Sequence, residues 1–178
     1  MDYAEIARAI DLGADGIMLP RTETLEQVKA TVEAMRFYPV GKTGFGGHGQ
    51  FRKNETIEEY QSNRHLLIQI ESPTGIKNLP EILDNYSKEI SAIVIGPFDM
   101  SFMVGTPTEI DSPENMEQIN EIFKISEKYG KSCGLYCANS EKAKKYRKLG
   151  ANFIWLSTEY QFLLKGYQEE FDEVIKMD

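Results

Sequence analysis

Short apolar runs alternate along this chain with longer segments of helical periodicity. Asp15–Pro20, Leu66–Glu71, Ala92–Gly96, Ser132–Cys137 and Asn152–Ser157 are each about five or six residues long, and Gly, Pro or polar residues bound them. Such short runs, rich in branched side chains, read as strands of a buried parallel sheet. Between them, Thr22 to Arg36 places Leu25, Val28 and Val32 on one face, and Pro113 to Tyr129 does the same with Met116, Ile119, Ile122 and Phe123. Both patterns predict amphipathic helices. Glu141 to Leu149 predicts a shorter, highly charged helix, and Tyr160 to Met177 one with a broad apolar face. Gly13, Gly130 and Gly150 fall where helices end. The alternation predicts an α/β protein with right-handed crossovers. Leu12-Gly-Ala-Asp-Gly-Ile and Leu149-Gly-Ala-Asn-Phe-Ile echo the same helix-end, turn and strand-start chemistry, as repeated βα units would.

One segment breaks the rhythm. Gly41 to Gln50 carries five glycines in ten residues and cannot form a helix or a central strand. A long irregular loop of this kind predicts a lid or a binding loop, and its His48 is a candidate mobile base or else a solvated histidine. A phosphate cradle is disfavoured, because such a loop follows a strand and opens a helix, whereas this one follows a helix.

Composition narrows the function classes. A chain of 178 residues with 41% hydrophobic side chains fits a single domain, 1–178, with a real core. With 28 acidic against 20 basic residues the formal charge is −8, and no basic stripe stands out, so nucleic acid is not expected as a partner. No apolar run approaches the roughly 20 residues that span a bilayer, so no membrane partner is expected. Cys133 and Cys137 lie within one apolar run and lack a second pair to complete a zinc site. They read as reduced core thiols, in keeping with a cytoplasmic protein.

Carboxylate placement carries the chemistry. Gln69-Ile-Glu71 ends one strand run, and Gly96-Pro-Phe-Asp99 follows the end of the next. In parallel α/β architectures the C-terminal strand ends form the ligand-binding face. Two acids delivered there by neighbouring strands can converge on one hard cation, Mg²⁺ or Mn²⁺, which takes one or two protein carboxylates and leaves positions for water and substrate oxygens. Gln69 shares the side-chain parity of Glu71 and points to the same interior. The alternative is that Glu71 and Asp99 cap the helices that follow them. Arg21, just past a strand end, is a candidate for binding an anionic substrate or for a rim salt bridge. His65 precedes a strand, at the end away from this face.

Leu19-Pro-Arg, Gln69-Ile-Glu-Ser, Lys77-Asn-Leu-Pro-Glu-Ile-Leu83, Ile95-Gly-Pro-Phe-Asp-Met-Ser101 and Lys148-Leu-Gly-Ala-Asn-Phe-Ile resemble, in order, the HpcH/HpaI aldolase family. These are metal-dependent class II pyruvate aldolases, related more distantly to the citrate lyase β subunit. The resemblance implies a (β/α)₈ TIM-barrel fold, with Glu71 and Asp99 holding the divalent metal and Gln69 beside the pyruvate. It also implies that backbone N–H groups from Gly96 through Pro97 and Phe98 to Asp99 take the pyruvate carboxylate. The implied reaction cleaves a 2-keto-hydroxy acid to pyruvate and an aldehyde through a metal-stabilised enolate.

Several positions depart from the family pattern. A full barrel has eight strands and about 250 residues, whereas five strand runs are countable here, and Met1-Asp-Tyr-Ala-Glu-Ile resembles the helix after the third family strand. The resemblance therefore implies an incomplete barrel, the C-terminal two-thirds, without the family's N-terminal Arg and His. Thr43 stands where the family commonly has Arg. Tyr136 stands near the acceptor aldehyde, where an aliphatic residue is common, with a core tyrosine as the alternative. Glu159 matches a family Asp near the last helix. An open sheet would expose an edge and an apolar concave face, and the resemblance implies homo-oligomerisation through barrel faces and C-terminal helices. Two alternatives remain at this point: a CoA-thioester lyase of the citrate lyase β type, and a non-catalytic homologue with a binding or assembly role.

Overall fold

Branched side chains favour extended backbone wherever they pack on both faces, and each of the five apolar runs forms a strand. They are β1 (Gly16–Leu19), β2 (His65–Ile70), β3 (Ile90–Ile95), β4 (Ser132–Cys137) and β5 (Phe153–Leu156). The structure, a computed structural model, describes residues 2–46 and 50–176. All neighbouring pairs are parallel, in the order β1-β2-β3-β4-β5. Helices fill every crossover: α1 (Tyr3–Asp11) precedes β1, α2 (Leu25–Met35) and α3 (Ile57–Ser62) follow it, and α4 (Pro73–Tyr86) follows β2. After β3 come α5 (Pro97–Met103) and α6 (Pro113–Lys128), then α7 (Ser140–Lys148) after β4 and α8 (Glu159–Ile175) after β5. This is the (β/α)₈ type of architecture with five of its strands among the described residues, and the sheet is open.

Alternation within each strand divides two environments. Leu66, Ile68 and Ile70 are fully buried, and β3 Ile93 and Ile95 with β4 Leu135 continue that layer against Val28, Val32, Leu79, Ile82, Ile119 and Ile122 of the helices. The opposite parity runs Met18, Leu67, Gln69, Val94, Tyr136 and Trp155 across the registered strands and lines the concave face. That face is covered at its centre, where Val94 is buried, and bare towards its edges, where Met18 and Trp155 are exposed. The exposed edge and concave face expected of five strands are therefore present.

Helix ends follow local rules. Asp2, Thr24 and Thr56 open α1, α2 and α3 with capping boxes. Gly13, Gly130 and Gly150 take positive φ just after α1, α6 and α7, a conformation that glycine adopts without a Cβ clash. The final helix α8 follows Thr158 and buries none of its residues.

The glycine-rich segment corrects an expectation. Its described part, residues 41–46, lies against the end of α2 and against α1: Lys42 N–H donates to the Glu33 carbonyl, Thr43 N–H to the Arg36 carbonyl, and Gly44 N–H to Tyr3 Oη. Gln50, on the other side of the segment, is bound through its carbonyl by Arg64, immediately before β2. The chain reaches this region after α2 has carried it from the C-terminal to the N-terminal strand ends. The described part of the loop therefore sits away from Glu71 and is no lid over it. His48 lies outside the described residues. His65 begins β2, as its position predicts, with Nδ1 3.1 Å from Ser91 Oγ.

Candidate active site

The C-terminal ends of β1, β2 and β3 bring Arg21, Glu71 and Asp99 to one mouth. Glu71 follows the last residue of β2 and is 6% exposed. Its Oε1 accepts the backbone N–H of Arg21 at 2.9 Å, and its Oε2 accepts Gln69 Nε2 at 2.6 Å. The cap of α4 is instead Ser72, whose Oγ accepts Gly75 N–H at 3.1 Å and donates to Glu23 Oε1 at 2.6 Å. The capping alternative for Glu71 is thereby overturned: a serine one residue on takes that task, and the carboxylate turns to the sheet interior. Asp99 lies inside the first turn of α5 and makes no side-chain cap bond; Gly96 is the residue before that helix.

Burial is the main force on Glu71. It pushes the carboxyl above the usual glutamate range, the Asp99 charge adds to the rise, and the Arg21 and Gln69 contacts oppose it. Asp99 itself is 60% exposed on its side chain. The Arg21 guanidinium stands between acids, with Nη1 3.7 Å from Asp99 Oδ1 and Nε 3.4 Å from Glu23 Oε1. Its Nη2 also lies 3.3 Å from Met103 Sδ. Of the two readings for Arg21, the rim salt bridge is thus present.

Gly96 serves the site by having no side chain. A Cβ there would fall 2.3 Å from Glu71 Oε2, 2.7 Å from Glu71 Cβ and 2.9 Å from Gln69 Nε2. Its N–H donates to the Ile70 carbonyl at 3.0 Å, and Pro97 has no N–H. The four-residue amide cradle is therefore corrected to two amides: only Phe98 and Asp99 bring N–H groups free of the sheet, at the first turn of α5. Asn115, fully buried on α6, donates to the Pro97 and Ile110 carbonyls, both at 3.0 Å, and pins this turn. Ser101 Oγ donates to the Phe98 carbonyl and accepts Thr108 N–H. Tyr136 is half-buried on the concave face, edge-on to Trp155 at 5.8 Å and 6.5 Å from Phe98. Glu159 is the first residue of α8.

Sequence reasoning missed Glu23 and Asn115. Glu23 was findable, because Arg21-Thr-Glu23 follows a strand end just as Asp99 does. Asn115 left no local signal, since its role exists only through contact with a turn 18 residues earlier.

Among the described residues no group of three or more His, Cys, Asp or Glu converges. Glu71 and Asp99 are oxygen donors of the kind a hard cation takes: two carboxylates, one of them desolvated and made costlier to charge by the other. A cleft of about 800 Å³ lies elsewhere, beside Lys131 and Cys133 at the start of β4 and Gly150 and Asn152 before β5. Among the described residues no helix is long and apolar enough to cross a membrane.

A parallel α/β sheet with acids at adjacent C-terminal strand ends has the layout of barrel-type folds, whose ligands bind at that face. The sequence matches the family described as HpcH/HpaI aldolase/citrate lyase over residues 3–165, and the chain belongs to that family. It is 32% identical to a hydroxypyruvate/pyruvate aldolase of Delftia acidovorans over 91% of this chain and 61% of that protein. It is 30% identical to a 4-hydroxy-2-oxo-heptane-1,7-dioate aldolase of Klebsiella pneumoniae over 93% of this chain and 63% of that protein. The chain thus spans a little over three-fifths of these relatives. In structure it superposes on an HpcH/HpaI aldolase from Desulfitobacterium hafniense with a TM-score of 0.86 at 24% identity, covering 99% of this chain and 69% of that one. A family protein from Burkholderia cenocepacia gives 0.88 at 22% identity, covering 97% and 70%.

Proposed function

We propose that this chain carries the cation-binding and keto-acid-binding part of a carbon–carbon lyase that cleaves a 2-keto-hydroxy acid to pyruvate and an aldehyde. The observation that carries the reading is the placement of Glu71: a buried carboxylate at a strand end, not spent on a helix cap, beside Asp99 from the next strand. Glu71 and Asp99 would hold a divalent cation, Mg²⁺ or Mn²⁺. A cation bound there supplies Lewis-acid polarisation of a keto oxygen. Gln69, already fixed by its bond to Glu71, presents its amide to the same interior, and the Phe98 and Asp99 amides face the carboxylate end of a keto acid. Arg21 and Tyr136 border the space left for the acceptor half. The names of the Delftia and Klebsiella relatives support pyruvate as the shared product.

The wider reading places the protein in the cytoplasm, where Cys133 and Cys137, both buried and free, stay thiols. It also makes the protein a homo-oligomer built partly on α8, whose apolar residues Phe162, Leu163, Leu164 and Phe171 are all more than half exposed.

Three variants test the site. Glu71→Gln and Asp99→Asn abolish Mn²⁺ binding by calorimetry and Mn²⁺-dependent pyruvate release, with little change in stability. Ser72→Ala costs about 1 kcal/mol of stability, the worth of a lost cap, and keeps Mn²⁺ binding. If Glu71→Gln loses about the 1 kcal/mol of a lost cap and still binds Mn²⁺, the reading is wrong.

A further inference from the structure

Arg21 is held in a conformation that its side chain does not favour. Its φ is +48°, a left-handed backbone that is costly for a residue with a Cβ. The surroundings enforce it from both sides: the N–H is taken by Glu71 Oε1 at 2.9 Å, and the carbonyl accepts Gln27 Nε2 at 3.3 Å. This turn aims the guanidinium back across the mouth, to 3.4 Å from Glu23 and 3.7 Å from Asp99. One residue thereby answers three carboxylates, Glu71 through its backbone and Glu23 and Asp99 through its side chain. A lone rim salt bridge needs no such backbone.

We propose that Arg21 is the built-in counter-ion of the acidic mouth, traded against the divalent cation. Without the cation the guanidinium pairs with Asp99 and offsets the repulsion between Asp99 and Glu71. When Asp99 turns to the cation, the guanidinium loses that partner and is repelled by the incoming charge. It is then free, still anchored by its strained backbone, to take an anionic group on the substrate. Arg21 thus makes cation loading harder by itself and easier when an anionic substrate arrives with the cation. The inference rests on the proposed cation site and adds an ordering to it.

The substitution Arg21→Met tests it, because the backbone N–H to Glu71 remains and only the guanidinium is lost. Mn²⁺ binding to the whole chain is measured by calorimetry for the wild type, Arg21→Met, Arg21→Lys and Lys29→Met. Lys29 is an exposed residue on α2 and controls for the change in net charge. Arg21→Met is expected to bind Mn²⁺ about two- to tenfold more tightly, the factor a half-exposed ion pair is worth against a divalent ion. Arg21→Lys and Lys29→Met should stay close to wild type. In the unmodified chain the Arg21 guanidinium ¹⁵Nε resonance should shift on adding Mg²⁺. If the wild type binds Mn²⁺ and Arg21→Met binds no more tightly, or the Arg21 resonance does not move, the counter-ion role is overturned and the cation site stands. If neither wild type nor Arg21→Met binds Mn²⁺ while both remain folded, the site and the inference fall together.

Discussion

Replacing Gly96 by alanine is the sharpest perturbation of the mouth. The added Cβ would lie 2.3 Å from Glu71 Oε2 and 2.7 Å from Glu71 Cβ, where ordinary contact begins at 3.4 Å. The shortfall against Oε2 is 3.4 − 2.3 = 1.1 Å. Rotation of the Glu71 carboxylate alone does not relieve it, because Cβ is fixed to the backbone just after β2, whose residues Leu67 to Ile70 are registered against β3. Either Glu71 abandons the 2.6 Å bond from Gln69, or the turn from β3 into α5 moves away from β2. Overpacking by one methyl in a tight site costs about 1–3 kcal/mol. At roughly 2–4 °C per kcal/mol for a chain of this size, Tm should fall by about 2–12 °C. Under the proposed cation site, Mn²⁺ affinity should fall at least about tenfold, since a ligand displaced by 1 Å no longer meets the geometry of a hard ion. Thermal unfolding in EDTA reads the first effect and calorimetry with Mn²⁺ the second. A Gly96→Ala chain with unchanged Tm and unchanged Mn²⁺ affinity would refute this account of Glu71 seating and the role of Gly96 in it.

Two further outcomes follow from groups outside the mouth. The Glu55 and Arg64 side chains, 4% and 2% exposed, pair through two 3.0 Å contacts, and Arg64 lies 4.4 Å over the Tyr60 ring. Glu55→Gln should cost roughly 3–5 kcal/mol near neutral pH, because Arg64 keeps its buried charge without a full partner. The hydrogen bonds from Arg64 hold the Glu55 carboxyl below the usual glutamate range. Its contribution is therefore complete above the ordinary value of about 4.3 and is lost as pH falls through the lowered folded value. Urea titrations across pH 3 to 7 should show the deficit of Glu55→Gln shrinking towards acid; a deficit that is flat or grows there would contradict the pairing. Burial pushes the Cys133 thiol up to about 12 and also raises Cys137. Neither should react appreciably with a thiol reagent at pH 8 until the chain is unfolded, and fast labelling of the native protein would place them elsewhere.

Much of the scaffold was legible in the residue order. Strand runs such as Leu66–Glu71 and Ser132–Cys137 coincide with β2 and β4 to within a residue, and the α6 and α8 periodicities match their helices, because both patterns depend on neighbours a few positions apart. The positions of Gln69 and Glu71 at the end of β2 were legible for the same reason, since parity along a strand is a local property, and Asp99 was legible as falling just beyond the next strand. The expectation that Glu71 and Asp99 share one cation came from those positions, and the family resemblance favoured it over helix capping.

What the sequence alone determined, then, is the alternation of strands and helices and the delivery of two acids to one face. The fold decided the partners. Glu71 takes its N–H from Arg21, 50 positions earlier, instead of capping α4, and Gly96 leaves room for it from the next strand. The turn at Arg21, the pin from Asn115 and the removal of the glycine-rich segment to the far strand ends are likewise matters of which surfaces meet. A carboxylate chooses among several donors of similar strength, and only three-dimensional proximity and desolvation break that tie.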